Sequence, residues 1–131
     1  MSENLDRTAI MLYWCEGLKA SEKISVTNSD AGIIRYFLKF LREDMKIPEE
    51  YIYALIEIHE GEQSPEAAKE YWQRQTGIQN WWKPRIRIRG KDGKSGKKKG
   101  KLPYGLIRIQ VIKSRQQWKL IMKAIDEMRK L

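Results

Sequence analysis

Apolar residues along this chain follow two spacings, which together predict four helices and four strands. Helical spacing, with apolar side chains three or four positions apart, covers residues 5–16 and the stretches after residues 30, 64 and 114. Strict alternation of apolar and polar side chains covers residues 23–27, 51–59, 84–89 and 106–112. The order is helix, strand, helix, strand, helix, two strands, helix, which predicts an α+β fold.

Capping residues mark the predicted helix ends. Asn28, Ser29 and Asp30 are capping types that stand before the second helical stretch, and Ser64 stands before the third. Ser114, with Gln117 three residues later, predicts a capping box at the start of the last helix. Gly17 is expected to end the first helix in a left-handed conformation.

The first predicted helix, residues 5–16, is apolar nearly all round. This pattern predicts burial on more than one side, either inside the domain or against a second copy of the chain. Cys15 lies within it. Because the chain has no second cysteine and no base stands beside it, we expect Cys15 to be a small core residue and not a nucleophile.

Charge is concentrated in one part of the chain. The 131 residues, the length of a single domain (1–131), carry a formal net charge of +9. Residues 83–101, here called the basic segment, hold ten basic residues and one acid, while the rest of the chain has 16 of each. This clustering predicts a polyanionic partner, and nucleic acid is favoured over a membrane surface because the segment lacks an amphipathic helical pattern. No apolar run approaches membrane-spanning length, so no membrane partner is expected.

The two strands that flank the basic segment predict a two-stranded ribbon with a flexible hairpin loop at about residues 90–103. Ile86 and Ile88 would face the core, and the alternating arginines would face outwards. Such a ribbon fits the major groove of DNA, where Arg bonds to guanine and Gln to adenine, while loop lysines suit phosphates. The predicted DNA-binding residues are Lys83, Arg85, Arg87, Arg89, Lys91, Lys94, Lys97, Lys98, Lys99, Lys101, Arg108 and Gln110.

The run AIMLYWCEG, from Ala9 to Gly17, is a mostly apolar helix that ends in an acid and a glycine. It resembles the LAGLIDADG motif of homing endonucleases. The following NSDAGIIRYFLKFLRE, residues 28–43, is similar to the strand end and second helix that come after the motif in that family. The resemblance implies a small curved sheet with helices packed on one face, which reads the major groove of double-stranded DNA.

The resemblance also implies a site and an assembly. A chain with one motif would form a homodimer through helix 5–16 on a roughly palindromic DNA site. The acid that ends the motif binds a divalent metal in the family, and the matching residue is Glu16. The implied function is a Mg²⁺-dependent endonuclease that hydrolyses phosphodiester bonds, with Glu16 as metal ligand and catalytic residue. Met11 and Trp14 stand where the family keeps small residues. A DNA-binding domain without cleavage is therefore one alternative, and an RNA-binding module that uses the same basic strands and loop is another.

Three further features carry weaker signals. His59, Glu60 and Glu62 could ligate a metal, but a polar strand end is favoured. Trp81 and Trp82 could stack on bases of a single strand, and anchoring of the basic strands to the core is favoured. No glycine-rich phosphate-binding pattern precedes a helix, so no nucleotide cofactor is expected.

The lone cysteine and the lack of a signal-type apolar core predict an intracellular, cytoplasmic protein, associated with the nucleoid or a host cell.

Overall fold

The computed structural model describes residues 5–88 and 102–131. These residues form the predicted α+β order with one added short strand. The helices are α1 (Arg7–Glu16), α2 (Ala31–Lys39), α3 (Pro65–Thr76) and α4 (Arg115–Arg129). A π-helical turn, Phe40–Asp44, continues α2, and a 3₁₀ turn, Glu49–Tyr51, leads into the second strand. The strands are β1 (Ser25–Asn28), β2 (Ile52–His59), β3 (Asn80–Trp81), β4 (Arg85–Arg87) and β5 (Leu106–Val111).

The strands form one mixed sheet with β2 near its middle. On one side β2 pairs antiparallel with β5, which pairs antiparallel with β1. On the other side β3 and β4 both run parallel to β2. The predicted ribbon is therefore wrong, because β2 lies between β4 and β5. The reason is α3, a crossover helix of the kind that parallel pairing needs, which delivers the chain to the far edge of β2.

The alternation in the central strands predicted the buried face of the sheet correctly. Ile52, Ala54, Ile56 and Ile58 are buried, as predicted, and they join helix residues in one continuous core. At the sheet edge the prediction fails, since Ile86 and the following Ile88 are exposed. Ile86 lies in the outermost strand and Ile88 directly after it, where burial by the helices is incomplete.

The opposite face of the sheet is covered by no helix within residues 5–88 and 102–131, and we call it the open face. Its members alternate with the core residues of the same strands and pair across the sheet in register. They are Ser25, Thr27, Tyr53, Leu55, Glu57, His59, Arg85, Arg87, Leu106, Arg108 and Gln110. None of the helices in the described residues is long and apolar enough to cross a membrane.

A side-chain cap is present at two of the three helix starts where one was predicted. The side chain of Asp30 caps α2 and that of Ser64 caps α3, each by accepting backbone N–H bonds. The predicted capping box on α4 is wrong. The Ser114 hydroxyl instead accepts the N–H of Ile24 at 3.0 Å and donates to the carbonyl of Val111 at 2.7 Å. Ser114 thereby ties the start of the first strand to the end of β5.

Gly17 ends α1 for a reason other than the predicted left-handed conformation, since its φ is −88° and its ψ is 159°. The requirement is space, because a Cβ at this position would lie 2.4 Å from the ring of Tyr13. That buried ring carries a hydroxyl that donates to the carbonyl of Leu18 at 2.5 Å and accepts the N–H of Ser25 at 3.2 Å. Burial raises the pKa of Tyr13 above its ordinary value of 10.0.

Helix α1 is buried on one side only. Ala9, Ile10 and Tyr13 contribute to the core, whereas Met11 and Cys15 are exposed. The prediction that Cys15 is a core residue is wrong, because it lies one turn after Met11 on the side that the other described residues leave open. Residues 5–88 and 102–131 thus bury one side of this helix, and contact with a second copy stays a prediction.

Candidate nucleic-acid interface

The open face brings together the predicted DNA-binding residues of β4 and β5. Arg85 is the cross-strand neighbour of Glu57, and Gln110 is that of Tyr53. Arg87 and Arg108 lie on the same face, one on each side of β2. Lys83 is exposed just before β4. The remaining predicted contacts lie outside the described residues: Arg89, Lys91, Lys94, Lys97, Lys98, Lys99 and Lys101.

Glu57 organises this face, and its role was not predicted. Its side chain is only 3% exposed and forms ion pairs with two arginines. Oε1 lies 3.5 Å from Nη2 of Arg87, and Oε2 accepts a hydrogen bond from Nη2 of Arg108. The only sign of this arrangement in the sequence is an acid at a polar position of β2, with basic strands elsewhere in the chain. Because Arg87 and Arg108 lie on opposite sides of β2, the Glu57 carboxylate holds both guanidinium groups. We call these three residues the Glu57 clamp.

The clamp leaves the arginines able to bind a ligand. A guanidinium carries five N–H donors, and the carboxylate engages one nitrogen of each arginine. The side chains of Arg87 and Arg108 remain 54% and 28% exposed. The clamp therefore holds two planar cations at a water-exposed surface with donors to spare, an arrangement suited to phosphate or to a base edge.

Glu16, the predicted metal ligand, lies beside the same face. It is exposed at the end of α1 and lines a shallow depression of about 260 Å³. The other lining residues come from the following turn and from the open face: Gly17, Leu18, Ser25, Thr27, Arg108 and Gln110. The fold thus brings Glu16 to two of the predicted DNA-binding residues.

The fit of a divalent metal to this depression is poor within one chain. A hard cation needs several oxygen ligands, preferably anionic. Among the described residues Glu16 is the one acid that lines the depression, and the cationic Arg108 lines it as well. Nor does the described part of the chain contain any group of three His, Cys, Asp or Glu side chains placed to share a metal, and this includes His59, Glu60 and Glu62.

The two neighbouring tryptophans have different environments. Trp81 packs against the core and donates its Nε1–H to the carbonyl of Ile78 at 2.8 Å, so it anchors the chain as predicted. Trp82 instead stacks on Tyr53 of the open face, with ring centroids 4.8 Å apart and 21° between the planes. Anchoring therefore describes Trp81, while Trp82 adds an aromatic surface to the open face.

In comparisons with known proteins, no family model, no curated protein and no solved structure matches the chain.

Proposed function

We propose that this chain is a DNA-binding domain that contacts double-stranded DNA with its open face and its basic segment. The observation that carries the proposal is the collection of Arg85, Arg87 and Arg108 on the helix-free face of the sheet. The basic segment, which holds the entire net charge of the chain, begins beside this face at Lys83. A polyanion gains most of its affinity from such cations through the release of bound counterions.

The topology changes how this surface would meet DNA. Four strands separated by about 4.8 Å make a face roughly 14 Å across, wider than the major groove of about 12 Å. Such a face cannot enter the groove as a two-stranded ribbon does. It would lie across the groove, with Arg108 and Gln110 of β5 reaching towards the bases and the edge cations Lys83 and Arg85 near the phosphates. The LAGLIDADG resemblance, with its sheet that reads the groove, supports the same orientation.

The test measures binding of a fluorescein-labelled duplex by anisotropy across a salt series. The double variant Lys83→Gln with Arg85→Gln should weaken binding and lower the salt slope by roughly two units, since each phosphate contact contributes about 0.9. The matched control is Lys119→Gln with Lys123→Gln, which removes two exposed cations from α4. Equal losses from both pairs would show that only net charge matters and would contradict a specific interface. Tighter binding of an RNA duplex would favour the RNA-binding alternative.

A second candidate function is metal-dependent cleavage of the bound DNA. It is favoured by the position of Glu16, which shares a depression with Arg108 and Gln110. Since the described part of one chain offers a single acid there, we propose that cleavage requires two copies that bring two Glu16 side chains together. The exposed Met11 and Cys15 line a depression of about 510 Å³ with Met128 of α4, and this surface is where we propose that the second copy binds.

Cleavage and dimerisation are tested together. Nicking of supercoiled plasmid in Mg²⁺, absent in EDTA and absent in Glu16→Gln, supports the nuclease proposal. Sedimentation at the same protein concentration then shows whether active material is a dimer. Nicking that persists in Glu16→Gln removes this residue from the chemistry. Tight binding with no nicking would show that the chain binds DNA without cleaving it.

A further inference from the structure

The stacked pair of Tyr53 and Trp82 has no role in the function proposed above. One face of the Trp82 indole lies against the Tyr53 ring, with 4.8 Å between the ring centroids, yet Trp82 remains 37% exposed. Since the covered face contributes little to that exposure, the accessible surface is the opposite face and the edges of the indole. An aromatic face that is open to water offers a planar ligand a place to stack.

The surroundings of this pair indicate which planar ligand fits. The residue after Trp82 in the chain is Lys83, an exposed cation. Arg85 pairs with Glu57, four residues along β2 from Tyr53, which places it roughly 13 Å along the same edge of the sheet. The ligand class that combines a flat ring with regularly spaced negative charge is a nucleic acid strand.

We propose that Trp82 and Tyr53 form a stacking site for one unpaired base, with the backbone of that strand running along β2 towards Arg85. A base within a duplex has both faces covered by its neighbours, so the site takes a base from a single strand or from a local opening of the duplex. This inference rests on the proposed DNA binding and deepens it. The open face would prefer DNA with an unpaired base over fully paired DNA.

The chain provides a matched control in a second stacked pair. Tyr104 is 38% exposed and stacks on Tyr71 of α3, with centroids 4.1 Å apart. Trp82 and Tyr104 are therefore similarly exposed, and substitution of either one removes a single stacking contact between two rings. They differ in position, because Tyr71 lies on a helix while Tyr53 lies on the open face.

The experiment compares three labelled DNA probes: a paired duplex, the same duplex with a one-nucleotide bulge, and one of its single strands. The unsubstituted chain should bind the bulged probe about tenfold more tightly than the paired duplex, within the range found for base stacking on an aromatic side chain. Trp82→Leu should abolish this preference while affinity for paired duplex changes less than about twofold, and Trp82→Phe should keep most of it. Tyr104→Leu should leave the preference intact. Thermal melting confirms that each variant is folded.

The possible results separate this inference from the proposed function. Equal affinity of the unsubstituted chain for bulged and paired probes overturns the stacking site and leaves DNA binding standing. A preference that survives in Trp82→Leu, or that is lost in Tyr104→Leu, also overturns it. Failure to bind any of the three probes refutes the proposed function itself.

Discussion

Replacement of Glu57 by glutamine should lower the stability of the fold and raise its affinity for DNA. Loss of one partner from a fully buried ion pair costs about 3–5 kcal/mol. Here the two arginines keep part of their hydration, with side chains 54% and 28% exposed, so we expect a smaller cost. Discounted for this exposure, the cost is about 2 kcal/mol. For a domain of this length that corresponds to a fall in Tm of about 7 °C.

Affinity should change in the opposite direction. The substitution removes a negative charge from the middle of the open face and releases one guanidinium nitrogen of each arginine. One unit charge in contact with a phosphate through water contributes about 1 kcal/mol, so binding should tighten about fivefold at low salt. The gain should disappear near 1 M salt, where the screening length is about 3 Å.

The assays are thermal unfolding followed by circular dichroism and duplex binding followed by anisotropy. The control is Glu70→Gln, which breaks an exposed pair with Arg74 on α3, 3.8 Å apart. That pair contributes no more than about 0.5 kcal/mol, and its loss should leave binding unchanged apart from a small effect of net charge. Equal stability of the two variants would show that the Glu57 clamp does not support the fold. A joint loss of stability and affinity would show that the clamp orients the arginines for binding, contrary to our expectation.

Three other predictions concern the packing that forms the sheet. Gly105→Ala should lower the free energy of unfolding by at least about 3 kcal/mol, since φ is +67° and a Cβ would lie 2.5 Å from the carbonyl oxygen of Glu57. Gly61→Ala should lower it by only about 1 kcal/mol, since φ is +79° but a Cβ there would meet open space. Gly17→Ala should cost about 2 kcal/mol through its clash with the Tyr13 ring, and an unchanged Tm would contradict the packing. Because burial raises the pKa of Tyr13, the unfolded chain loses this proton first, so stability should fall as pH rises above 10. Melting curves at pH 9 to 11 should show a weaker decline in Tyr13→Phe.

The strands and helices of the core could be predicted because their signals are local. The alternation in β2 reflects burial of every second residue, which holds from Ile52 to Ile56, whereas Glu57 is buried by its ion pairs on the opposite face. Asp30 and Ser64 cap their helices with bonds to the next few residues, so their role depends on nothing distant. Ser114 failed the same reasoning because its hydroxyl bonds to Ile24, 90 positions earlier. A capping pattern cannot reveal a competing partner so far away in the chain.

The pairing of the strands could not be predicted in this way. Two amphipathic strands separated by a glycine-rich stretch have the same local pattern whether they pair with each other or with a third strand. What decides between the two is α3, whose position after β2 supplies a parallel partner before β5 is reached. The exposure of Ile86 in β4 and of the following Ile88 results from this topology, since the helices cover an edge strand only in part.

The same change of topology gives the candidate interface its chemistry. In a two-stranded ribbon, arginines from the two strands would face each other with no acid between them. With β2 inserted, Glu57 stands between Arg87 and Arg108, and Tyr53 stands between Gln110 and Trp82. Both contacts join residues that are far apart in the chain, and neither is encoded in the spacing of any one strand. The open face therefore combines fixed cations with an aromatic surface, a combination that the basic segment alone could not provide.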